Sequence, residues 1–438
     1  MKILRIIATA MLVVVSGLVY NSICLQAQSS TTATQRTSQR VLSPTPGEFP
    51  IVALSVFNKE KGPQPGDLKG VEECGFNACI EETNLETHEK LLKYMEGTGL
   101  KLLAYNYVFS SNANGKNWKE NMVSFVNKLK HHPNLGGWDF GDEPKWKDLN
   151  ALKPRYELLR KTDPTHFISY NLVGQIAKDF TGPCKTLGAY LDSIQKKFEM
   201  DSWSSDFYPI RIVRGKLSVN YEQFYQNLEA FSKKSKETGI PMWTFCESLA
   251  FVADANTTFP IATLPYLSFE AFSALGYGSQ GLAYYTYWQR KGIKVKMLSA
   301  LVDEEGNKTK SWYAAQKVNL DIKALTPVLL GGEMVECRHT GNIRFKGVRP
   351  SLGTFGPIES MTHGEKGVQV SHLRNAGKNY IMLVNHDVEN KQKVTLAFKK
   401  TANMKQIKVE SGKIDKKSVK NNCSVTLTPG GYCIFEWN

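Results

Sequence analysis

Histidine and cysteine are scarce in this chain, eight of each among 438 residues, and neither gathers into a metal-binding pattern. No Cys-x-x-Cys pair or Cys/His cluster with ligand spacing occurs, which argues against a zinc module. Cys24 falls in the N-terminal leader described below; the other seven cysteines are sparse and odd in number, which argues against a disulfide framework. Of these, Cys423 and Cys433 could bridge neighbouring strands or stay as two buried thiols. A Ser/His/Asp set and a thiol with a placed base are both missing, which disfavours acyl transfer. Missing too is a glycine-rich phosphate loop opening a helix, so a doubly wound nucleotide-binding sheet is the weaker architecture. After the leader, no stretch is apolar and charge-free over the roughly 20 residues that span a bilayer.

Acidic residues are also in deficit, 41 against 55 lysines and arginines, for a formal charge of +14. Basic charge favours anionic partners. Much of the excess lies in residues 391 to 420, "KQKVTLAFKKTANMKQIKVESGKIDKKSVK", whose alternation fits the solvated face of a sheet; binding of an acidic glycan is the alternative. Nucleic acid is disfavoured, because no nucleic-acid motif accompanies the charge.

Residues 1–28 read as a secretory signal: Lys2 and Arg5 precede the apolar run Ile6 to Val19, and Ala27 offers a small residue for cleavage. The expected product is secreted or periplasmic. "NSI" before Cys24 lacks the small residues and leucine of a lipid-anchoring signal, so a lipid anchor is not expected. Residues 29–48 form a Ser/Thr/Gln-rich linker.

From residue 49 to 326, eight apolar runs alternate with segments of helical spacing. The runs are 49–57, 76–82, 100–109, 135–143, 166–174, 200–210, 241–251 and 281–288. Helical stretches such as "LETHEKLLKYMEGTG" and "YEQFYQNLEAFSKKSKETG" end at glycine. His88 lies in the first of these and reads as exposed; His131 and His132 read as the basic end of another helix. Eight strand-then-helix units make an α/β fold, the (β/α)8 TIM barrel, the expected architecture. From 327 to 438 the spacing turns to period two, as in "KNYIMLVNHD" and "GYCIFEWN", which predicts a small antiparallel β-sandwich.

Chemistry in such a barrel sits where strands end. Glu143 closes the fourth run in "GDEP" and Glu247 closes the seventh in "TFCES", nearly opposite across the mouth. Retaining glycoside hydrolysis needs one carboxyl that protonates the leaving oxygen and a second, about 5 to 5.5 Å away, that attacks the sugar. Glu143 is expected to be the acid/base and Glu247 the nucleophile. For "DEP" alone, an acidic first turn of a helix is the plainer reading.

With both glutamates in these places, the sequence resembles clan A of the retaining glycoside hydrolases, the 4/7 superfamily, over about residues 50 to 325. That clan places its acid/base after strand four, usually as Asn-Glu-Pro, and its nucleophile after strand seven. The resemblance implies a glycosidase of oligosaccharides or polysaccharides that needs no cofactor and no metal, with an accessory sandwich. It also implies that Trp288, in "YYTYW", floors the cleaved subsite. Here Asp142 stands where the clan usually has asparagine; an ionised aspartate can only accept a hydrogen bond. It would also raise the pKa of Glu143 through like-charge proximity. Other strand ends supply polar and aromatic candidates for sugar contact: Asn106 and Tyr107, Asn171, and Asp206 with Tyr208. Trp138 and Trp243 lie further from the ends. The rival reading is a non-catalytic carbohydrate-binding protein on the same barrel.

Overall fold

The computed structural model describes residues 40, 42, 47–113, 115–290, 296–342, 355–410 and 412–437; the expected leader and most of the linker lie outside them. Eight parallel strands close into a barrel in chain order. They are β1 (Ile51–Leu54), β2 (Ala78–Glu82), β3 (Lys101–Tyr105), β4 (Leu135–Asp142), β5 (Phe167–Val173), β6 (Trp203–Asp206), β7 (Met242–Glu247) and β8 (Gly281–Tyr285). Each falls within one of the eight apolar runs. The barrel closes where β8 pairs with β1, Ile51 opposite Leu282.

Strands covered on both faces have little reason to alternate, and β5, "FISYNLV", is buried along its whole length. The barrel interior is filled by side chains such as Val52, Leu103, Phe167, Trp243 and Ala283. Trp243 stacks on Phe167 at 5.1 Å between ring centroids. Trp138 is buried on the outer side and donates its indole N–H to Asp163 at 2.9 Å. Both tryptophans are structural.

The helices lie outside. Leu85–Met95 is capped by the Asn84 side chain, which accepts from the Thr87 N–H at 2.9 Å. Its buried face is His88, Leu91, Leu92 and Met95, at helical spacing. His88 is therefore fully buried, contrary to the expectation, with Nε2 at 3.1 Å from the Glu81 carbonyl.

Loops after β6, β7 and β8 contribute a second sheet that period counting did not reveal. Its antiparallel order is Lys296–Ser299, Ala250–Val252, Thr257–Phe259, Ile210–Val213 and Lys216–Val219. The strands are three or four residues each, too short to show a period.

The described residues of the C-terminal region form nine strands: β9 (Glu333–His339), β10 (Ile358–Thr362), β11 (Val368–Asn375), β12 (Lys378–Asn385), β13 (Gln392–Phe398), β14 (Lys405–Glu410), β15 (Lys413–Ser418), β16 (Asn422–Leu427) and β17 (Tyr432–Trp437). They form a six-stranded sheet, β9-β11-β12-β17-β14-β15, and a three-stranded sheet, β10-β13-β16. Ile381 and Leu383 of β12 point into the core between these sheets. Tyr380, Met382 and Val384, on its other face, join the core of the barrel. The six-stranded sheet is thus buried on both sides at β12, and Phe272 of the helix Leu264–Gly276 stacks on Tyr432. Cys423 and Cys433 lie in different sheets, and all seven cysteines beyond the leader are free thiols. Lys405, Lys408, Lys413, Lys416 and Lys417 are exposed on β14 and β15, distributed over both faces of this hairpin rather than on one.

Candidate active site

At the strand-end mouth of the barrel lies a cavity of about 380 Å3. Its lining comes from all eight strands and the loops after them: Leu54 of β1 and Ser55 after it, Ile80 and Glu82 of β2, Tyr105 of β3, Asp139, Gly141 and Asp142 of β4, Asn171 of β5, Asp206 of β6, Phe245 of β7 and Tyr285 of β8, with Tyr208 and Arg290 completing it. Four carboxyl groups therefore face one guanidinium. A larger cavity, about 780 Å3, lies at the opposite end, where β6 and β7 begin, and is lined by Arg40, Arg160, Asp201 and surface lysines. The strand-end chemistry belongs to the smaller one.

Asn171 organises the acidic wall. Its Nδ2 donates to Asp142 at 2.8 Å and to Asp206 at 3.0 Å, while its Oδ1 accepts from Ser204 at 3.1 Å. An amide with both ends used is fixed in orientation. Burial and the charge of Asp142 push the Asp139 and Asp206 carboxyls well above the ordinary aspartate range. Burial raises Asp142 too, against the lowering effect of the Asn171 amide.

Glu143 follows at φ +37°, a left-handed conformation uncommon for a residue with a side chain, and its N–H donates to the Asn171 carbonyl at 3.1 Å. This turn ends β4 and sends the chain into Pro144. Burial, and then the charge of Asp142, push the Glu143 carboxyl up to about 7, against a hydrogen bond with Asp206. Glu247 ends β7 at 5% exposure, its Oε1 buried without a hydrogen-bond partner. Burial and Glu270 hold it well above the usual glutamate range, and Arg211 opposes them. Tyr208 and Tyr285 both lie within its electrostatic reach and stack on each other, centroids 6.4 Å apart at 15°.

Of the residues expected from sequence, Asp142, Asn171, Asp206 and Tyr208 line one cavity, and Glu143 and Glu247 flank it. Asn106 and Tyr107 do not join them. The Asn106 amide donates to the Thr83 carbonyl at 2.8 Å and its oxygen caps the turn Tyr107–Phe109 by accepting from Val108 at 3.0 Å, so it is consumed locally. Tyr107 is 57% exposed on that turn. Trp288 is also displaced: it is buried in a separate space of about 340 Å3 with Gly66, Asp67, Tyr287 and Lys308, and its ring packs on Gly306. The strand-eight aromatic at the cavity is Tyr285, the last residue of β8. The run "YYTYW" offered four rings, and the register that selects among them comes from the pairing of Tyr285 with Glu247. Tyr105, Asp139, Arg290 and Glu270 were also missed, each lacking a local motif. Among the described residues no group of His, Cys, Asp and Glu is arranged to hold a metal ion, and no helix is long and apolar enough to cross a membrane.

No protein-family model and no curated protein sequence matches this chain. Solved structures do. A catalytic mutant of a GH42 β-galactosidase from G. stearothermophilus superposes with a TM-score of 0.58 at 10% identity, covering 89% of this chain and 98% of that one. A β-galactosidase from Bacillus circulans sp. alkalophilus gives 0.58 at 9% identity over 90% and 99% of the two chains. A family 5 glycoside hydrolase from Bacteroides vulgatus gives 0.57 at 10% identity over 92% and 93%. The fold of this chain, a TIM barrel followed by antiparallel sheets, is the one these glycoside hydrolases share.

Proposed function

We propose that this protein is an exported glycosidase that cleaves O-glycosidic bonds with retention, using Glu143 as acid/base and Glu247 as nucleophile. The observation that carries the reading is the pair of environments at the ends of β4 and β7. The Glu143 carboxyl, raised to about 7, keeps a proton to give near neutral pH; burial and Glu270 raise Glu247 as well, and among the described residues Arg211 is the charge that favours its ionised form. In the first step a Glu247 oxygen bonds to the anomeric carbon as the bond to the leaving oxygen breaks, and Glu143 protonates that oxygen. Water then attacks the same carbon, Glu143 takes its proton, and Glu247 is released.

The substrate is an oligosaccharide or polysaccharide that is neutral at the cleaved unit. The chain's net positive charge suggested an anionic glycan, but its lysines crowd β14 and β15, while the cavity carries Glu82, Asp139, Asp142 and Asp206 against Arg290. A second reading, carbohydrate binding without catalysis, is favoured by one fact: neither Glu143 nor Glu247 belongs to the cavity lining itself. Aryl glycosides assayed with Glu143→Gln and Glu247→Gln separate the two. Catalysis predicts losses of about 10²- to 10⁴-fold in kcat for each; unchanged turnover in either variant, or binding without turnover in the wild type, defeats it.

A further inference from the structure

The helix Leu264–Gly276, "LPYLSFEAFSALG", is buried along nearly its whole length, yet it carries a glutamate at 3% exposure. An isolated buried carboxylate is costly unless it is paired or neutral. Among the described residues Glu270 has no cationic partner; its Oε2 accepts the backbone N–H of Glu247 at 2.8 Å. The reason lies in the barrel ladder. Pairing of β7 with β6 stops at Thr244 opposite Ser205, so three residues later the Glu247 N–H has no strand carbonyl on that side. On the other side the next amide, Ser248, is taken by the Tyr285 carbonyl at 2.9 Å. Glu270 therefore replaces a missing ladder partner at the residue that must be aimed most accurately.

Resting on the proposed reaction, we infer that Glu270 is its positioning residue: a neutral acid whose carbonyl oxygen fixes the Glu247 backbone and leaves the negative charge of the buried pair to Glu247. The titratable groups around the pair are Cys246 of β7 and Tyr284 of β8, with Arg211, Tyr208 and Tyr285 near Glu247. Arg211 is the cation that acts on Glu247, and none acts on Glu270. Burial raises both carboxyls, Glu270 to about 8 and Glu247 well above its ordinary range, and it is Arg211, acting on Glu247 and not on Glu270, that assigns the charge to Glu247 and the proton to Glu270. Were Glu270 the ionised member, Glu247 could not attack.

The test uses the full-length protein and a 2,4-dinitrophenyl glycoside of the glycone selected from the aryl-glycoside panel. That leaving group departs without protonation, so single-turnover dinitrophenolate release reports Glu247 alone. Glu270→Gln, which keeps an acceptor oxygen and cannot ionise, should retain the wild-type rate within about threefold at pH 7. Glu270→Ala should lose at least about tenfold in rate with KM little changed. Full activity in Glu270→Ala overturns the proposal, and so does a Glu270→Gln variant tenfold slower than wild type. If Glu270→Ala does not fold, the Gln variant decides alone by the same criterion. A role in packing alone would lower Tm in the variants without the rescue by Gln. Turnover retained by Glu247→Gln, or a wild type inactive on the whole panel, overturns the glycosidase reading and this proposal with it; Glu247→Gln inactive with Glu270→Ala unaffected overturns this proposal alone.

Discussion

Glu143 sits between two opposing demands. Its backbone is held at φ +37°, which for a residue with a side chain costs on the order of 1 kcal/mol or more, and the Asn171 carbonyl secures it by accepting its N–H. The return is a carboxyl beside Asp142 and Asp206. Because burial and the charge of Asp142 raise Glu143 to about 7, activity that needs its proton should decline as pH rises through that value. Asp142→Asn removes the like charge, so Glu143 should release its proton at lower pH, and the alkaline limb of kcat against pH should move down. Measured pH profiles of wild type and variant decide this; an unmoved limb would mean that burial alone sets the proton. The aspartate that departs from the clan's usual asparagine then has a role: it keeps the acid protonated further toward neutrality. What local sequence offered here was the pair of glutamates and the acidic neighbour. Glu270 could not be read, because in sequence it is one polar residue in an apolar helix and its partner is a backbone amide on another element.

Among the elements, β8 shows how closely barrel packing is fitted. A Cβ on Gly281 would lie 2.4 Å from the Trp243 indole, and that ring is already stacked on Phe167. Gly281→Ala should therefore destabilise the barrel by about 1–3 kcal/mol, read as a lower Tm with the far-UV spectrum preserved. The inserted sheet is a different kind of element. Phe259 stacks on Phe251 at 4.4 Å and meets Tyr208 edge-on at 6.3 Å, so a hairpin after β7 braces a cavity aromatic from behind. Phe259→Ala should raise KM more than it lowers kcat, because Tyr208 loses its backing while the two glutamates stay in place; steady-state kinetics check this. Long strands and amphipathic helices were legible because each buries a periodic face. The inserted strands were not, since three or four residues carry no period. Asn106 and Trp288 misled for a related reason: residue type identified polar and aromatic strand ends, but only register decides which of them turn to the cavity.

At the scale of the whole molecule, the seam between barrel and sheets contains a buried polar junction. His339 Nδ1 lies 3.1 Å from His386 Nε2, both side chains are fully buried, and Tyr277 Oη meets His339 Nε2 at 2.9 Å. Tyr221 adds a hydrogen bond from its hydroxyl to the His386 carbonyl at 2.6 Å. Burial, and for His339 the adjacent His386, hold both imidazoles below the ordinary histidine range, His386 at about 4. A histidine depressed in the folded state stabilises the fold above its unfolded pKa and loses that contribution as pH falls through the window down to the folded value. The junction should therefore weaken between pH about 6.5 and 4, with His386 alone worth on the order of 3 kcal/mol at the lower end. His88, held at about 4 beneath the helix Leu85–Met95, adds a loss of the same sign elsewhere, so the slope of wild type alone does not isolate the junction. His386→Gln does isolate it. Urea midpoints measured from pH 7.5 to 4.5 should fall less steeply for the variant than for wild type; parallel slopes would show that the histidine pair does not titrate with unfolding.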